Sequence, residues 1–214
     1  MHSDGPAFTP MTKLPGICSL ESYVEDFHAL LRKVDPTEVR GFVEAIKDAH
    51  RNERFVFLIG NGGSGANASH FCQDLGKGTL HDFERQRRLK VMSLTDNTPC
   101  ILAWGNDTSY ERVFVEQLRN FAQPAALLVA ISGSGNSPNV LRAVEWANAN
   151  GMKTFGVTGY DGGKLRKLAH ASVHVPSFNM GAVEAAHAVI FHYVLDTLYL
   201  EFKSSPEGSG AHQP

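Results

Sequence analysis

The stretch Phe55-Val-Phe-Leu-Ile-Gly-Asn-Gly-Gly-Ser-Gly65 decides the fold of this chain. Its first five residues are apolar, mostly β-branched or aromatic, and end abruptly at glycines, a pattern that is typical of a buried parallel strand. The turn from Gly60 to Gly65 offers backbone N–H groups with few side chains in the way, and good helix formers follow from Ala66. The stretch therefore predicts a strand, an anion-binding turn and a helix in succession.

Similar short apolar segments predict four further strands, at about residues 89–95, 126–132, 154–159 and 171–176. Helical patterns lie between them, which predicts an α/β fold with an open five-stranded parallel sheet and helices on both faces. At 214 residues, one domain is expected. We expect a flexible N-terminus at 1–18, an N-terminal helical pair at 19–50 and a sheet core at 55–177. A final helix at 181–202 and a disordered tail at 203–214 should follow. Another copy of the chain could supply a partner surface for the helical pair.

Composition and charge exclude several classes of function. A formal net charge of −2 gives no general attraction to nucleic acid or acidic membranes, and the basic run at 84–90 is most simply a solvated loop edge. The first residues lack the pattern of a signal peptide, and no stretch approaches the ~18 apolar residues of a spanning helix. Cys18, Cys72 and Cys100 show no paired spacing. We therefore expect a cytoplasmic protein without nucleic-acid or membrane partners.

A second loop of small residues, Ser132-Gly-Ser-Gly-Asn-Ser137, follows the third predicted strand, and Pro138 is well placed in the first turn of the next helix. Both loops belong at the carboxyl ends of strands, where ligands bind in such folds. Neither loop contains Lys or Arg, so the hydroxyl groups of Ser132, Ser134 and Ser137 suit one phosphate monoester better than a polyphosphate with Mg²⁺. Either loop alone could be no more than a helix cap and a tight turn.

Three other functions fit the first loop only in part. Gly60-x-Gly62-x-x-Gly65 satisfies the dinucleotide fingerprint, but no acidic residue closes a second strand about 20 residues on, and Asp96 comes late. A P-loop would need Lys after Gly65. Ser64 sits on a strand-to-helix turn like a hydrolase nucleophile, but Ala66 breaks the Gly-x-Ser-x-Gly pattern.

Two predicted helices carry side chains that could bind a metal ion. His70 and Asp74 lie one turn apart, although such a pair can also face solvent. Glu184, His187 and His192 lie on an apolar helix, where they should be paired or bind a ligand. Imidazole with carboxylate suits Zn²⁺ or a similar divalent ion. Helix spacing makes Glu184 and His187 the tighter pair and His192 the weaker candidate for a metal ligand.

These motifs together resemble the sugar isomerase (SIS) domain, and within it the phosphoheptose isomerase family. The resemblance runs from about Ser19 to Phe202 and rests on Gly60-Asn-Gly-Gly-Ser64, Ser69-His-Phe71, Gly105-Asn-Asp107, Ile131-Ser-Gly-Ser-Gly-Asn-Ser-Pro-Asn-Val140, Thr158-Gly-x-Asp-Gly-Gly-Lys164 and the His187/His192 helix. It implies a single SIS domain that isomerises sedoheptulose 7-phosphate to a mannoheptose 7-phosphate, a divalent metal, most simply zinc, and a homotetramer with shared sites. The alternative is a non-catalytic SIS module that senses a phosphosugar or binds a protein.

The resemblance also implies the roles of individual residues. The substrate would be bound by Asn61, Gly62, Gly63, Ser64, Asn106, Asp107, Ser132, Ser134, Ser137 and Glu184. The metal ligands would be His70, Asp74, Glu184 and His192, with Asp74 and His192 also catalytic. Asp74 stands where the family has a glutamate, Glu184 where it has a glutamine, and Gly181 where a polar residue is expected. A carboxylate that is shorter by one methylene alters its distance to the substrate carbon, which affects the rate.

Overall fold

The computed structural model describes residues 19–204 of the chain. Its strands are β1 (Val56–Gly60), β2 (Val91–Ser93), β3 (Leu127–Ser132), β4 (Lys153–Thr158) and β5 (Ala171–His174). They pair in parallel in the order β2-β1-β3-β4-β5. The predicted α/β fold with a five-stranded parallel sheet is confirmed, although β2 is shorter than the sequence pattern suggests.

Helices cover both faces of the sheet. They are α1 (Leu20–Leu31), α2 (Pro36–Arg51), α3 (Gly62–Gly78), α4 (Thr98–Asp107), α5 (Val115–Phe121), α6 (Pro138–Ala149), α7 (Leu165–Leu168) and α8 (Met180–Ser204). Side chains of a strand alternate between the two faces, so Leu58 packs with α2, α3 and α8, whereas Ile59 packs with α5 and α6. Both side chains are fully buried, which explains why the strand reads as a continuous apolar run.

The N-terminal helical pair does not need a second copy of the chain to cover α2. Phe42 of α2 is fully buried and stacks on Phe155 of β4, with ring centroids 4.5 Å apart. Helix α2 therefore packs on the sheet of its own chain, which corrects that part of the expectation. Helix α1 is less covered, since Leu20 and Val24 are 73% and 55% exposed.

Several boundaries differ from those predicted. Helix α3 begins at Gly62 rather than Ala66, so the glycines form its first turn. Gly and Asn in Gly105-Asn-Asp107 predict an interruption of the chain, followed by a helix from Ser109 to Phe121. In the structure, Gly105-Asn-Asp107 is the last turn of α4, and a 3₁₀ turn at Tyr110–Arg112 precedes α5.

Helix α8 continues to Ser204, so the first two residues of the predicted disordered tail, 203 and 204, are helical. The remainder of that tail and the predicted flexible segment 1–18 lie outside the described residues. Within residues 19–204, no helix has both the length and the apolar character that crossing a membrane requires.

Candidate functional site

The two loops of small residues meet between the carboxyl ends of β1 and β3. These strands are neighbours in the sheet. From β1 the chain continues to β2, toward one edge of the sheet, whereas from β3 it continues to β4, toward the other edge. The crevice between them is the topological switch point, where open α/β sheets bind their ligands. A hydrogen bond of 2.8 Å from Asn61 Nδ2 to Asn139 Oδ1 joins the two sides. The predicted neighbourhood of the loops is thus present.

The first wall of this crevice is the first turn of α3. A Cβ atom on Gly60 would lie 2.6 Å from the carbonyl oxygen of Ser64, so only glycine permits so tight a turn. Asn61 occupies the N-cap position of α3, but its side chain makes no capping hydrogen bond within the described residues. The backbone N–H groups of the first turn, at Gly62 and Gly63, are therefore available to an anion.

The second wall is the serine loop between β3 and α6. The Gly135 N–H donates to Ser132 Oγ at 3.2 Å, and the Asn136 N–H donates to Ser134 Oγ at 3.3 Å. Ser132 Oγ and Ser137 Oγ lie 3.3 Å apart, so one of these hydroxyls donates to the other. Among the described residues, the hydroxyl hydrogen of Ser134 has no acceptor. One hydroxyl hydrogen of the Ser132–Ser137 pair also has no acceptor there. The loop thus presents neutral donors.

His70, Asp74 and His192 come together on the facing sides of α3 and α8. Asp74 Oδ2 lies 3.4 Å from His70 Nε2 and 3.6 Å from His192 Nδ1. The three ligand atoms all lie within 4.8 Å of one another. These separations are too long for good hydrogen bonds but suit an ion between the groups. Helix spacing alone makes His192 the weaker candidate, but the structure brings His192 to this cluster, as the family resemblance implies.

Glu184 lies apart from those three side chains. A Cβ atom built on Gly63 would come within 2.3 Å of Glu184 Oε1, so the carboxylate lies over the first turn of α3. Burial raises the pKa of Glu184. The position suits contact with a substrate in the crevice, and the role of Glu184 as a metal ligand stays a prediction.

His187 faces the sheet and not the crevice. Its side chain is fully buried, and Nε2 lies 3.1 Å from the carbonyl oxygen of Thr158, to which it donates. Burial lowers the pKa of His187 to about 4. The histidine is therefore neutral at physiological pH and serves to hold α8 against β4.

Asn106 and Asp107 are exposed at the end of α4, where Asn106 Nδ2 donates to Asp107 Oδ1 at 2.9 Å. They are not among the described residues that line the neighbouring cleft of about 530 Å³, on the β2 side of β1. Tyr110 and Asp96 do line that cleft. No sequence pattern assigns a role to Tyr110 or Asn139, because their contacts with Asn61 join distant parts of the chain.

Comparison with known proteins agrees with this architecture. Residues 22–159 match the family described as the SIS domain. The phosphoheptose isomerase of a Nitratiruptor species is 39% identical over 146 residues, which cover 68% of this chain and 76% of that protein. The phosphoheptose isomerase of a Geobacter species is 33% identical over 183 residues, which cover 85% and 93%.

A solved structure shows the same similarity in three dimensions. The phosphoheptose isomerase from Francisella tularensis superposes with a TM-score of 0.77 at 28% identity. The superposition covers 84% of this chain and 96% of that one. The similarity thus includes the sheet and the helices that form the crevice.

Proposed function

Because the chain belongs to the SIS-domain family of phosphoheptose isomerases, we propose that it converts sedoheptulose 7-phosphate to a mannoheptose 7-phosphate. Its relatives are aldose–ketose isomerases, and this chain is an enzyme of that class. The proposal goes further in assigning the metal, the roles of the residues and the assembly.

The spacing of His70, Asp74 and His192 carries the metal assignment. Two ligand atoms, each about 2.1 Å from a tetrahedral Zn²⁺ ion, lie about 3.4 Å apart. The two separations from Asp74 Oδ2, 3.4 and 3.6 Å, agree with that value. These residues would hold the ion, with Glu184 as a fourth ligand after a change of its side-chain rotamer. When bound, a divalent ion polarises the substrate carbonyl and stabilises negative charge on its oxygen.

The reaction moves protons between C1 and C2 through an enediolate. Asp74 removes the proton from C1 of the ketose and returns it at C2. His192 gives a proton to O2, which forms the new hydroxyl, and takes one from O1, which becomes the aldehyde oxygen. Both residues lie in one cluster, which supports their joint action on adjacent carbon atoms.

The serine loop anchors the phosphate far from the reacting carbons. Ser134 and the remaining hydroxyl hydrogen of the Ser132–Ser137 pair donate hydrogen bonds to it, and the N-termini of α3 and α6 add favourable dipoles. Asn61, Gly62, Gly63 and Ser64 bind the substrate on the opposite wall. Binding energy from the phosphate thereby positions the sugar for proton transfer.

We also propose a cytoplasmic homotetramer. Large apolar side chains are exposed on α1 and α8, among them Val24, Tyr193 and Leu200, and a second copy could cover them. Asn106 and Asp107 lie outside the cleft of their own chain, which is consistent with a site shared between subunits. The thiols of Cys72 and Cys100 are free, as expected in a reducing compartment.

The test is to incubate zinc-loaded protein with C5–C7 ketose phosphates in deuterated buffer and to follow the C1 and C2 protons by NMR. We expect deuterium to enter sedoheptulose 7-phosphate and a mannoheptose 7-phosphate to form. Chelation should stop the exchange, and added Zn²⁺ should restore it. Exchange that persists without metal would refute the metal assignment.

The same experiment separates the enzyme from a phosphosugar sensor. If every sugar kept its protons while one still bound, the protein would be a binding module and the proposed reaction would be wrong. The matched control is Asp74→Asn, which should bind the ketose phosphate without exchanging its protons.

A further inference from the structure

The side chains of Asn61 and Asn139 form a reciprocal amide pair across the switch-point crevice. Asn61 Nδ2 donates to Asn139 Oδ1 at 2.8 Å, and Asn139 Nδ2 donates to Asn61 Oδ1 at 2.9 Å. The hydroxyl of Tyr110 also donates to Asn61 Oδ1, at 3.0 Å. Two separate segments of the chain therefore converge on the amide of Asn61, a predicted substrate-binding residue.

The backbone of α6 fixes which way these amides point. The Val140 N–H donates to Asn139 Oδ1 at 2.9 Å, and a backbone N–H can only donate. The oxygen of Asn139 must therefore face Val140 and Asn61 Nδ2, so its nitrogen faces Asn61 Oδ1. In that orientation Asn61 Oδ1 also accepts a hydrogen bond from the hydroxyl of Tyr110.

This network leaves Asn61 with one defined hydrogen-bonding capacity. Its oxygen accepts two hydrogen bonds, which fill both lone pairs, and its Nδ2 uses one of two hydrogens. The second hydrogen has no acceptor among residues 19–204. Asn61 lines the cleft and is partly exposed, so this hydrogen is available to a ligand oxygen. The amide therefore presents a donor and no acceptor.

The same pairing keeps Asn61 from capping α3. Asparagine is among the best N-cap residues, and its oxygen would ordinarily accept a hydrogen bond from the first turn. Here that oxygen is occupied by Asn139 and Tyr110, and no side-chain cap forms among the described residues. The N–H groups of Gly62 and Gly63 thus stay available beside the donor of Asn61.

We propose that Asn139 and Tyr110 are positioning residues that act through Asn61, holding its amide so that it offers a donor to an oxygen of the phosphosugar. This inference rests on the proposed function, because the ligand is the substrate of that site. Asn139 is 1% exposed, whereas Tyr110 is 59% exposed. Replacement of Tyr110 is therefore the milder change to the fold.

A double-mutant cycle tests whether the hydroxyl of Tyr110 acts through Asn61. The proteins are wild type, Tyr110→Phe, Asn61→Ala and the double variant, with KM and kcat measured for sedoheptulose 7-phosphate. Loss of one hydrogen bond that fixes the amide should raise KM about three- to tenfold in the wild-type background. The value of kcat should stay within about twofold of the wild-type value, because the contact stabilises the bound substrate and the transition state equally. In the Asn61→Ala background, Tyr110→Phe should change KM less than about twofold.

Equal increases in KM in both backgrounds would overturn the inference, as would no increase in the wild-type background.

Tyr199→Phe is the matched control. The hydroxyl of Tyr199 makes no hydrogen bond among the described residues, so this substitution should leave KM unchanged. Asn139→Ala should also raise KM, and its effect should likewise shrink in the Asn61→Ala background. A merely structural role of Asn139 would instead lower the melting temperature and leave KM of the folded protein unchanged.

The wild-type protein tests the proposed function separately. If it binds sedoheptulose 7-phosphate but does not turn it over, the proposed reaction fails, and the cycle is measured with dissociation constants from calorimetry. Non-additive dissociation constants would then still support the positioning role. Additive ones would refute it, whatever the activity of the wild type.

Discussion

Acid should destabilise this protein through His187, and the substitution His187→Gln should remove part of that effect. His187 is fully buried on α8, donates from Nε2 to the carbonyl oxygen of Thr158, and leaves Nδ1 without a partner among the described residues. Glutamine can keep the hydrogen bond to Thr158 because its amide nitrogen reaches to a similar distance. It cannot take up a proton in this pH range.

The size of the effect follows from the pKa of His187. Burial lowers it from the ordinary 6.5 to about 4, so the unfolded chain binds a proton at a higher pH than the folded protein does. The contribution of neutral His187 to the free energy of unfolding is therefore fully present above pH 6.5. It is lost as the pH falls from 6.5 toward 4. The complete loss would be about 3 kcal/mol, and about 2 kcal/mol would be lost by pH 5.

A neighbouring histidine contributes in the same direction. His174 Nδ1 lies 3.1 Å from Thr158 Oγ1, and burial, with the nearby charge of Arg166, lowers the pKa of His174. Its backbone N–H donates to Glu38. Because these groups are present in wild type and variant, the difference between the two proteins reports on His187.

The measurement is urea unfolding followed by circular dichroism at pH 7 and pH 5, at one fixed protein concentration. Between these values, wild type should lose about 2 kcal/mol more stability than His187→Gln. The exposed residue His28, replaced by glutamine, is the matched control and should behave as wild type does. Equal losses in wild type and His187→Gln would refute the reasoning.

Three further predictions concern the crevice. Asp74→Asn should lower kcat by about 10²–10⁴-fold while the dissociation constant of the ketose phosphate stays within about threefold, and comparable turnover would refute its role as base. Ser134→Ala should raise KM by about tenfold or more through loss of a hydrogen bond to phosphate, and an unchanged KM would place the phosphate elsewhere. Gly63→Ala should displace the carboxylate of Glu184, which a Cβ atom would approach to 2.3 Å, and should impair activity. The control for Gly63→Ala is Gly41→Ala in α2, where a Cβ atom meets nothing within 4 Å, and this variant should gain about 1 kcal/mol of stability without loss of activity.

The fold could be predicted from the sequence because its strands are buried on both faces. Such strands read as continuous apolar runs, and the helices between them force a parallel sheet. The sequence predicts too late a start for α3, because glycine has a low helix propensity. In the structure, the missing Cβ atoms of the glycines permit the tight first turn. The helix break predicted at Gly105 occurs instead at Thr108, the C-cap of α4. The hydroxyl of Thr108 donates to the carbonyl oxygen of Trp104.

The site could be predicted only as far as local patterns reach. His70 and Asp74 share a helix face, so their spacing alone brings them together. Helix spacing favours His187 over His192 as the partner of Glu184, but spacing carries no information on how α8 packs against β4. The contacts of Asn61 with Tyr110 and Asn139 span 49 and 78 positions of the chain, and no local pattern encodes them.

The family resemblance predicts that Asp74 and Glu184 stand where a glutamate and a glutamine are usual, and the two residues affect the site in different ways. The carboxylate of Asp74 lies 3.4 Å from His70 Nε2 and 3.6 Å from His192 Nδ1, so its side chain is long enough to reach both histidines. Glu184 brings a carboxylate to Gly63, at the end of α3 where free N–H groups and the helix dipole favour an anion. A substrate anion that approaches this end meets a negative group there, which a glutamine would not supply. We therefore expect the carboxylate at residue 184 to lower the affinity for substrate relative to glutamine, whereas Asp74 reaches the two histidines of the cluster.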